Sequence, residues 1–144
     1  MTLILIYLCS VSDISFSPVA FSAYINHPVD NLVPSTVIPF EMVTTNEGNA
    51  FDGNKGVFSC PSSGLYLFVW NLMVDAGHNT QVYLAVNGAK RRWSYAYSTG
   101  SFANAANHDI VRLQEGDKVW IADDYTSGEI HPHHTTFSGV LLFE

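Results

Sequence analysis

The chain has few charged residues, and positive charge is the scarcest. Of 144 residues only 6 are Lys or Arg and 13 are Asp or Glu, so the charged fraction is 13% and the net charge is −7. This balance argues against sequence-independent binding to nucleic acid, because that affinity comes mainly from basic side chains on phosphates. It also argues against attraction to anionic lipid. So little surface charge is expected where a domain buries part of its surface against another subunit.

Cysteine is also scarce, and long apolar runs are missing. Cys9 and Cys60 are the two cysteines, and they do not form a zinc-ligand pattern. The apolar run 3–9 is too short to cross a bilayer, so no membrane insertion is expected. It is typical of a secretory signal, although no Lys or Arg precedes it, so we expect residues 1–12 to be an atypical or truncated signal peptide. The alternative is a short apolar N-terminal strand.

A secretory signal predicts a secreted, extracellular protein, and a length of 144 residues predicts a single domain. Residues 13–17 would form a short linker and residues 18–144 a single globular domain. Once the signal is removed, Cys60 is left alone, and we interpret it as a small core residue rather than a nucleophile.

Catalytic motifs are missing as well. The chain has no Gly-x-Ser-x-Gly elbow, no His-Glu-x-x-His helix motif and no Gly-rich phosphate loop. We therefore assign no catalytic residues and do not expect an enzyme.

The sequence also lacks an apolar period of 3.6 residues over ten or more positions. About ten short segments instead show strand-like patterns, separated by turns rich in Gly, Asn and Asp. The clearest is 81–86, which alternates and is followed by Asn87-Gly88, a strong hairpin signal because a type I′ turn needs two positive φ angles. The pattern predicts an all-β sandwich or jelly roll.

The stretch 40–70 carries the most informative pattern in the sequence. Its strand 65–74 is apolar on both alternating faces, so one side needs the protein's own core and the other a further cover, which a second chain could provide. The spacing of its landmarks resembles the signature of the complement component 1q globular-domain family. The matching residues are Phe40, Asn46, Phe51, Phe58, Gly64, Tyr66 and Phe68; Trp70 departs, because the family prefers Phe or Tyr at that position.

The resemblance covers residues 18–144 and implies a ten-stranded jelly roll, similar to the tumour-necrosis-factor fold, that assembles as a homotrimer. It implies that Tyr66, Phe68 and Trp70 serve core packing and the trimer contact; the alternative is an exposed ligand platform. The chain contains no collagen-like Gly-X-Y repeat, so the resemblance is to members without that stalk. It also implies a non-enzymatic protein.

The segment 90–97 is the first candidate ligand site. Lys90, Arg91 and Arg92 hold half of the basic residues and are followed by Trp93, Tyr95 and Tyr97. Strict alternation would place Lys90 and Arg92 on one face of a strand, with Arg91 and the rings on the other. A guanidinium beside exposed rings suits an anionic or sugar ligand. The alternative is a solvated hairpin edge, with its rings packed inside.

The segment 123–134 is the second candidate, read as a polar loop. Asp123, Asp124 and Glu129 offer oxygen ligands for calcium, and the resemblance supports this because some members bind calcium through loops of this region. The histidines at 131, 133 and 134 could instead bind a softer metal or sense pH. The alternative is a plain solvated loop.

The resemblance implies a secreted, multivalent recognition protein of innate immunity: a soluble lectin or pattern-recognition module for carbohydrate or microbial surfaces. The alternative is a secreted trimeric protein ligand or extracellular structural protein that acts through a receptor or matrix partner.

Overall fold

The computed structural model describes residues 17–144. The predicted signal peptide, 1–12, and nearly all of the predicted linker lie outside the described residues. Within the described range the chain forms ten strands and no helix, which confirms the all-β prediction. The strands are β1 Ala20–Tyr24, β2 Met42–Glu47, β3 Phe51–Asp52, β4 Val57–Ser59, β5 Gly64–Val74, β6 Asn79–Val86, β7 Ala89–Tyr97, β8 Ala103–Leu113, β9 Lys118–Thr126 and β10 Thr136–Phe143.

The strands form two five-stranded antiparallel sheets. Sheet A has the order β2-β1-β10-β5-β8, and sheet B has the order β3-β4-β9-β6-β7. The first and last strands are neighbours, with Ala20 opposite Val140. Each sheet has an inner face toward the core and an outer face away from it. No helix within the described part of the chain is long and apolar enough to cross a membrane.

Strand β5 shows how alternation builds the core. Tyr66, Phe68 and Trp70 point inward and are fully buried within one chain. Trp70 Nε1 donates a hydrogen bond to Ser94 Oγ at 2.8 Å, and the Tyr66 hydroxyl donates to the Ser62 carbonyl oxygen at 2.7 Å. The polar atoms of these two rings are thus satisfied inside the protein. The three rings are core residues, so they do not face a second copy.

A cluster of phenylalanine rings joins the two sheets around Phe21. Its ring stacks on Phe51 with 4.2 Å between centroids and meets Phe137 edge-on at 5.0 Å. Phe58 lies 5.5 Å away, between Phe21 and the rings of β5. Burying one such side chain contributes about 1.5–3 kcal/mol, so this cluster is a major source of stability.

The landmark residues of the stretch 40–70 have structural reasons for their spacing. Asn46 Nδ2 donates to the Phe51 carbonyl oxygen at 2.9 Å, and the Phe51 amide donates to Asn46 Oδ1 at 3.1 Å, which closes the turn between β2 and β3. A Cβ atom at Gly64 would lie 2.6 Å from Leu141 Cδ1, so only glycine fits there without a shift.

The predicted loop 123–134 is wrong in part. Strand β9 continues through Asp123 and Asp124 to Thr126, four residues into that segment. Polar composition was misleading there, because strand residues can be polar when side chains or neighbouring strands satisfy them.

Gly139 is where we expect the core to be most sensitive to added volume. It lies opposite Phe21 on β1 and Phe68 on β5, and a Cβ atom there would come within 2.5 Å of Phe21 Cε1. We expect Gly139→Ala to lower the free energy of unfolding by about 1–3 kcal/mol, because the rings must move. Urea denaturation measures this change.

Gly100→Ala is the matched control, since a Cβ atom there meets nothing within 4 Å. We expect it to leave stability nearly unchanged. Equal losses from the two substitutions would contradict the packing argument.

Candidate functional site

Strand β7 contains a β-bulge that rearranges the predicted ligand residues. Leu84 of β6 lies opposite Arg92, but the next residue, Ala85, lies opposite Lys90, so Arg91 is an extra residue without a partner. A bulge of this kind reverses the alternation beyond it. The predicted grouping of Lys90 with Arg92, and of Arg91 with the rings, is therefore wrong.

The two arginines turn toward sheet A. Arg91 Nε lies 3.0 Å from Asp109 Oδ2, and Arg92 Nη2 lies 3.5 Å from Asp109 Oδ1. Asp109 belongs to β8 and is only 6% exposed. The triad therefore links the edge strands of the two sheets, and a shallow groove of about 410 Å³ runs along it past Asn107 and His108.

Lys90 and Trp93 instead lie together on the outer face of sheet B, around Asp124. Lys90 Nζ donates to Asp124 Oδ1 at 2.6 Å, and Trp93 Nε1 donates to Asp124 Oδ2 at 3.2 Å. Gln81 Nε2 also donates to Oδ2, at 2.6 Å. The hydrogen bond from Lys90 is the main cause that lowers the pKa of Asp124, followed by that from Gln81. Lys90 Nζ also lies 4.5 Å from the centre of the Tyr83 ring.

Further aromatic rings lie on the same face of sheet B as this ion pair and are exposed rather than packed inside. Trp93, Tyr95 and Tyr97 of β7 are joined by Tyr125 of β9. Sequence reasoning missed Gln81 and Tyr125. Gln81 stands in a clear strand beside apolar neighbours, and Tyr125 lies in the segment read as a loop, so neither gave a signal of its own.

The three predicted calcium ligands do not come together. Asp123 is 1% exposed and lies opposite Val82 toward the interior, whereas Asp124 faces outward and is held by Lys90. Glu129 lies in the following loop, where its amide donates to Asp75 Oδ1. Among residues 17–144 no group of three or more His, Cys, Asp or Glu side chains is placed to hold a metal ion. The calcium site stays a prediction.

Two of the loop histidines, His131 and His133, lie beside aromatic rings. The His131 ring meets Phe102 edge-on at 4.5 Å, with Glu129 3.9 Å from its Nε2. The His133 ring lies 5.8 Å from Tyr24. Their role toward a softer metal or as pH sensors also stays a prediction.

The comparisons with known proteins agree with the fold. Residues 20–142 match the family model described as C1q domain. The chain belongs to the C1q domain family. This membership confirms the resemblance drawn from the spacing of the landmark residues.

Two relatives and one solved structure show how far this C1q domain likeness extends. The chain is 38% identical over 112 residues to mouse complement C1q tumor necrosis factor-related protein 3, covering 74% of this chain and 45% of that relative. It is 31% identical over 129 residues to the heavy metal-binding protein HIP of Mytilus edulis, covering 86% of this chain and 60% of that relative. The chain thus spans about half the length of these relatives.

The solved structure is the globular domain of zebrafish complement 1qA protein. It aligns with a TM-score of 0.74 at 19% sequence identity, over 87% of this chain and 98% of that one. This likeness confirms the jelly roll of the complement-1q and tumour-necrosis-factor type.

Asp123 generates a prediction about stability and pH. Among residues 17–144 neither of its carboxylate oxygens has a partner at hydrogen-bond distance. Burial raises the pKa of Asp123 above its ordinary value and outweighs a lowering by Thr126. Because the pKa of Asp123 is higher in the folded protein than in the unfolded chain, where it is about 3.9, the protonated side chain stabilises the fold at low pH. This stabilisation is lost as the pH rises through the pKa of Asp123 in the folded protein. We expect Asp123→Asn to raise the free energy of unfolding at pH 7 by about 1 kcal/mol, with the gain shrinking toward pH 4.

The neighbouring substitution Asp124→Asn is the control, because it removes the partner of Lys90 and has the opposite expected sign. Thermal unfolding at both pH values measures the two variants. If a chelator lowers the melting temperature of the wild type but not of Asp123→Asn, the unpaired-carboxylate interpretation is wrong and the calcium prediction gains support.

Proposed function

We propose that this protein is a secreted, trimeric recognition module that binds carbohydrate or microbial surfaces through several identical sites at once. The observation that carries the proposal is an aliphatic, nearly uncharged outer face on sheet A. C1q-type domains typically form trimers, and a trimer requires a surface on each subunit that can be buried against the other two.

The outer face of sheet A lies behind the core rings of β5. Val69 and Ile110 are 47% and 50% exposed, and Leu67, Val140 and Leu142 continue the apolar surface on β5 and β10. In the described strands β5, β8 and β10, Arg112 is the one Lys, Arg, Asp or Glu on this side. Ser138 and His108 lie on either side of Val69 on this face, so the apolar surface is interrupted but carries little charge. An exposed apolar surface of this kind is typical of a subunit interface. A second and third copy would supply the cover that strand β5 requires on this side.

A trimer held together by sheet A presents three copies of sheet B outward. Linking three weak sites in this way can raise the affinity for a repetitive surface by about 10²–10⁴ without any new contact. The exposed rings and polar groups of β7 and β9 supply a surface for recognition, which supports ligand binding rather than a purely structural role.

Catalysis is not part of the proposal. Cys60 is buried, and burial raises the pKa of its thiol, which keeps it protonated and unreactive. Its sulfur donates to the Ser62 carbonyl oxygen at 3.1 Å, as expected of a structural thiol.

A charge on the outer face of sheet A tests the proposal. We expect Val69→Asp to give a monomer by light scattering, because a carboxylate there would be desolvated in the trimer. Binding to whole microbial cells should then fall by about 10²–10⁴, while binding of a free oligosaccharide changes little. Val33→Asp is the matched control, since Val33 is 63% exposed and lies in the loop between β1 and β2, outside the strands of sheet A.

Equal losses for whole cells and free oligosaccharide would count against multivalency, and a monomeric wild type would refute the trimer. A trimer that binds animal-cell receptors but no carbohydrate or microbial surface would favour the alternative of a secreted protein ligand.

A further inference from the structure

A row of exposed rings runs across the outer face of sheet B, on the side of the molecule away from the aliphatic face. We define the aromatic platform as Gln81, Trp93, Tyr95, Tyr97 and Tyr125. We propose that the aromatic platform binds neutral polysaccharide by stacking its rings on successive sugar units. This inference deepens the proposed function and rests on it for the threefold presentation of the site.

Strand register fixes the layout of the platform. Gln81 of β6 lies directly opposite Tyr95 on β7 and Tyr125 on β9, so these three side chains stand side by side on one face. Strands β7 and β9 lie on either side of β6 and are therefore separated by about 10 Å, twice the spacing of neighbouring strands. Trp93, Tyr95 and Tyr97 follow at every second position of β7, about 7 Å apart. The rings therefore form an extended, nearly flat array that suits a chain-like ligand.

The polar centre of the platform is held in place before any ligand arrives. Three donors, from Lys90, Gln81 and Trp93, converge on the single carboxylate of Asp124. Because these groups fix one another, little side-chain freedom is lost on binding. Tyr95 and Tyr125 are each 57% exposed and have ring faces available for contact.

The charges around the platform favour an uncharged ligand. Lys90 is neutralised by Asp124, and the two neighbouring arginines are turned away toward Asp109. The platform itself contains no acidic or basic residue. On the platform an anionic sugar would therefore meet a cation that is already paired with Asp124, while the excess positive charge of the two arginines over Asp109 lies toward sheet A.

The chemistry of the platform also suits a sugar. Its members are Tyr, Trp and Gln, whereas the exposed apolar residues on the outer face of sheet A are mainly Leu, Val and Ile. Tyr and Trp combine an apolar ring with a polar tip. A pyranose ring offers the complementary surface, since its C–H faces stack on rings while its hydroxyl edges meet amide and phenol groups.

The test measures binding of the full chain to soluble β-1,3-glucan and mannan, with alginate as an anionic comparison, at low and high salt. We expect the wild type to bind at least one neutral polysaccharide with little dependence on salt, because no ion pair forms. Removing one ring should weaken binding about tenfold, the scale of stacking on a single aromatic side chain, so Y95A/Y125A should lose about 100-fold. The conservative pair Y95F/Y125F keeps both rings and should retain most of the affinity.

Phe102→Ala is the matched control, because Phe102 is an exposed ring outside the platform. Light scattering must show that Y95A/Y125A keeps the oligomeric state of the wild type, so that a loss reflects the platform rather than folding or assembly. Unchanged binding by Y95A/Y125A would overturn the proposal. Salt-sensitive binding of alginate alone would also overturn it and point to Arg91 and Arg92.

A loss of binding to a purified protein by Y95A/Y125A, with polysaccharide binding intact, would make the platform a protein interface and overturn the proposal as well. The proposed function has a separate readout. If Y95A/Y125A binds both polysaccharide and whole microbial cells as tightly as the wild type, the platform is refuted and the recognition function stands. If the wild type binds no microbial cell and no polysaccharide, both are refuted.

Discussion

The close approach of Phe21 to Gly139 is the contact on which the rest of the fold depends. Because residue 139 has no side chain, the rings of Phe21 and Phe68 can meet across β10, and Phe21 can stack on Phe51 from the other sheet. Strands far apart in the chain are thereby joined in one cluster of rings. Substitutions at such contacts are destabilising, because protein interiors are packed as densely as crystals of small molecules and even one added methyl group forces neighbouring atoms to move. This explains why aromatic spacing was so informative in this sequence.

Much of the fold could be predicted from the sequence because local and global signals agree. The inward rings of β5 alternate without interruption, and Asn87-Gly88 closes the hairpin between β6 and β7, with both residues at positive φ. Between β4 and β5 lie Pro61, Ser62 and Ser63, which are residue types that favour turns. Where period, turn chemistry and burial agree, a sequence has little freedom to adopt another arrangement.

The candidate site was harder to predict because two β-bulges determine which side chains share a face of sheet B. One extra residue at Arg91 and a second register shift between Gln81 and Val82 each change which side of the sheet a neighbour faces. The second shift leaves Asp124 as an extra residue, so that Tyr125 faces outward beside it, while Asp123 is buried toward the core. Bulges depend on pairing between strands, and neither position carries a Gly that would have signalled one. Asp109 was missed for a related reason: a buried acid inside a strand is expected only when its cationic partners are known.

The ends of the described domain lie close together. Val19 accepts a hydrogen bond from the amide of Leu141 at 2.9 Å, and the start of β1 runs beside the end of β10. A segment attached at either end of the described domain therefore leaves from the same region of its surface. A short linker could join the two ends, and new termini could open in the exposed turn at 99–101, where proteins tolerate such cuts. This architecture lends itself to circular permutation, with the order of the strands in the chain changed while their order in the sheets is kept.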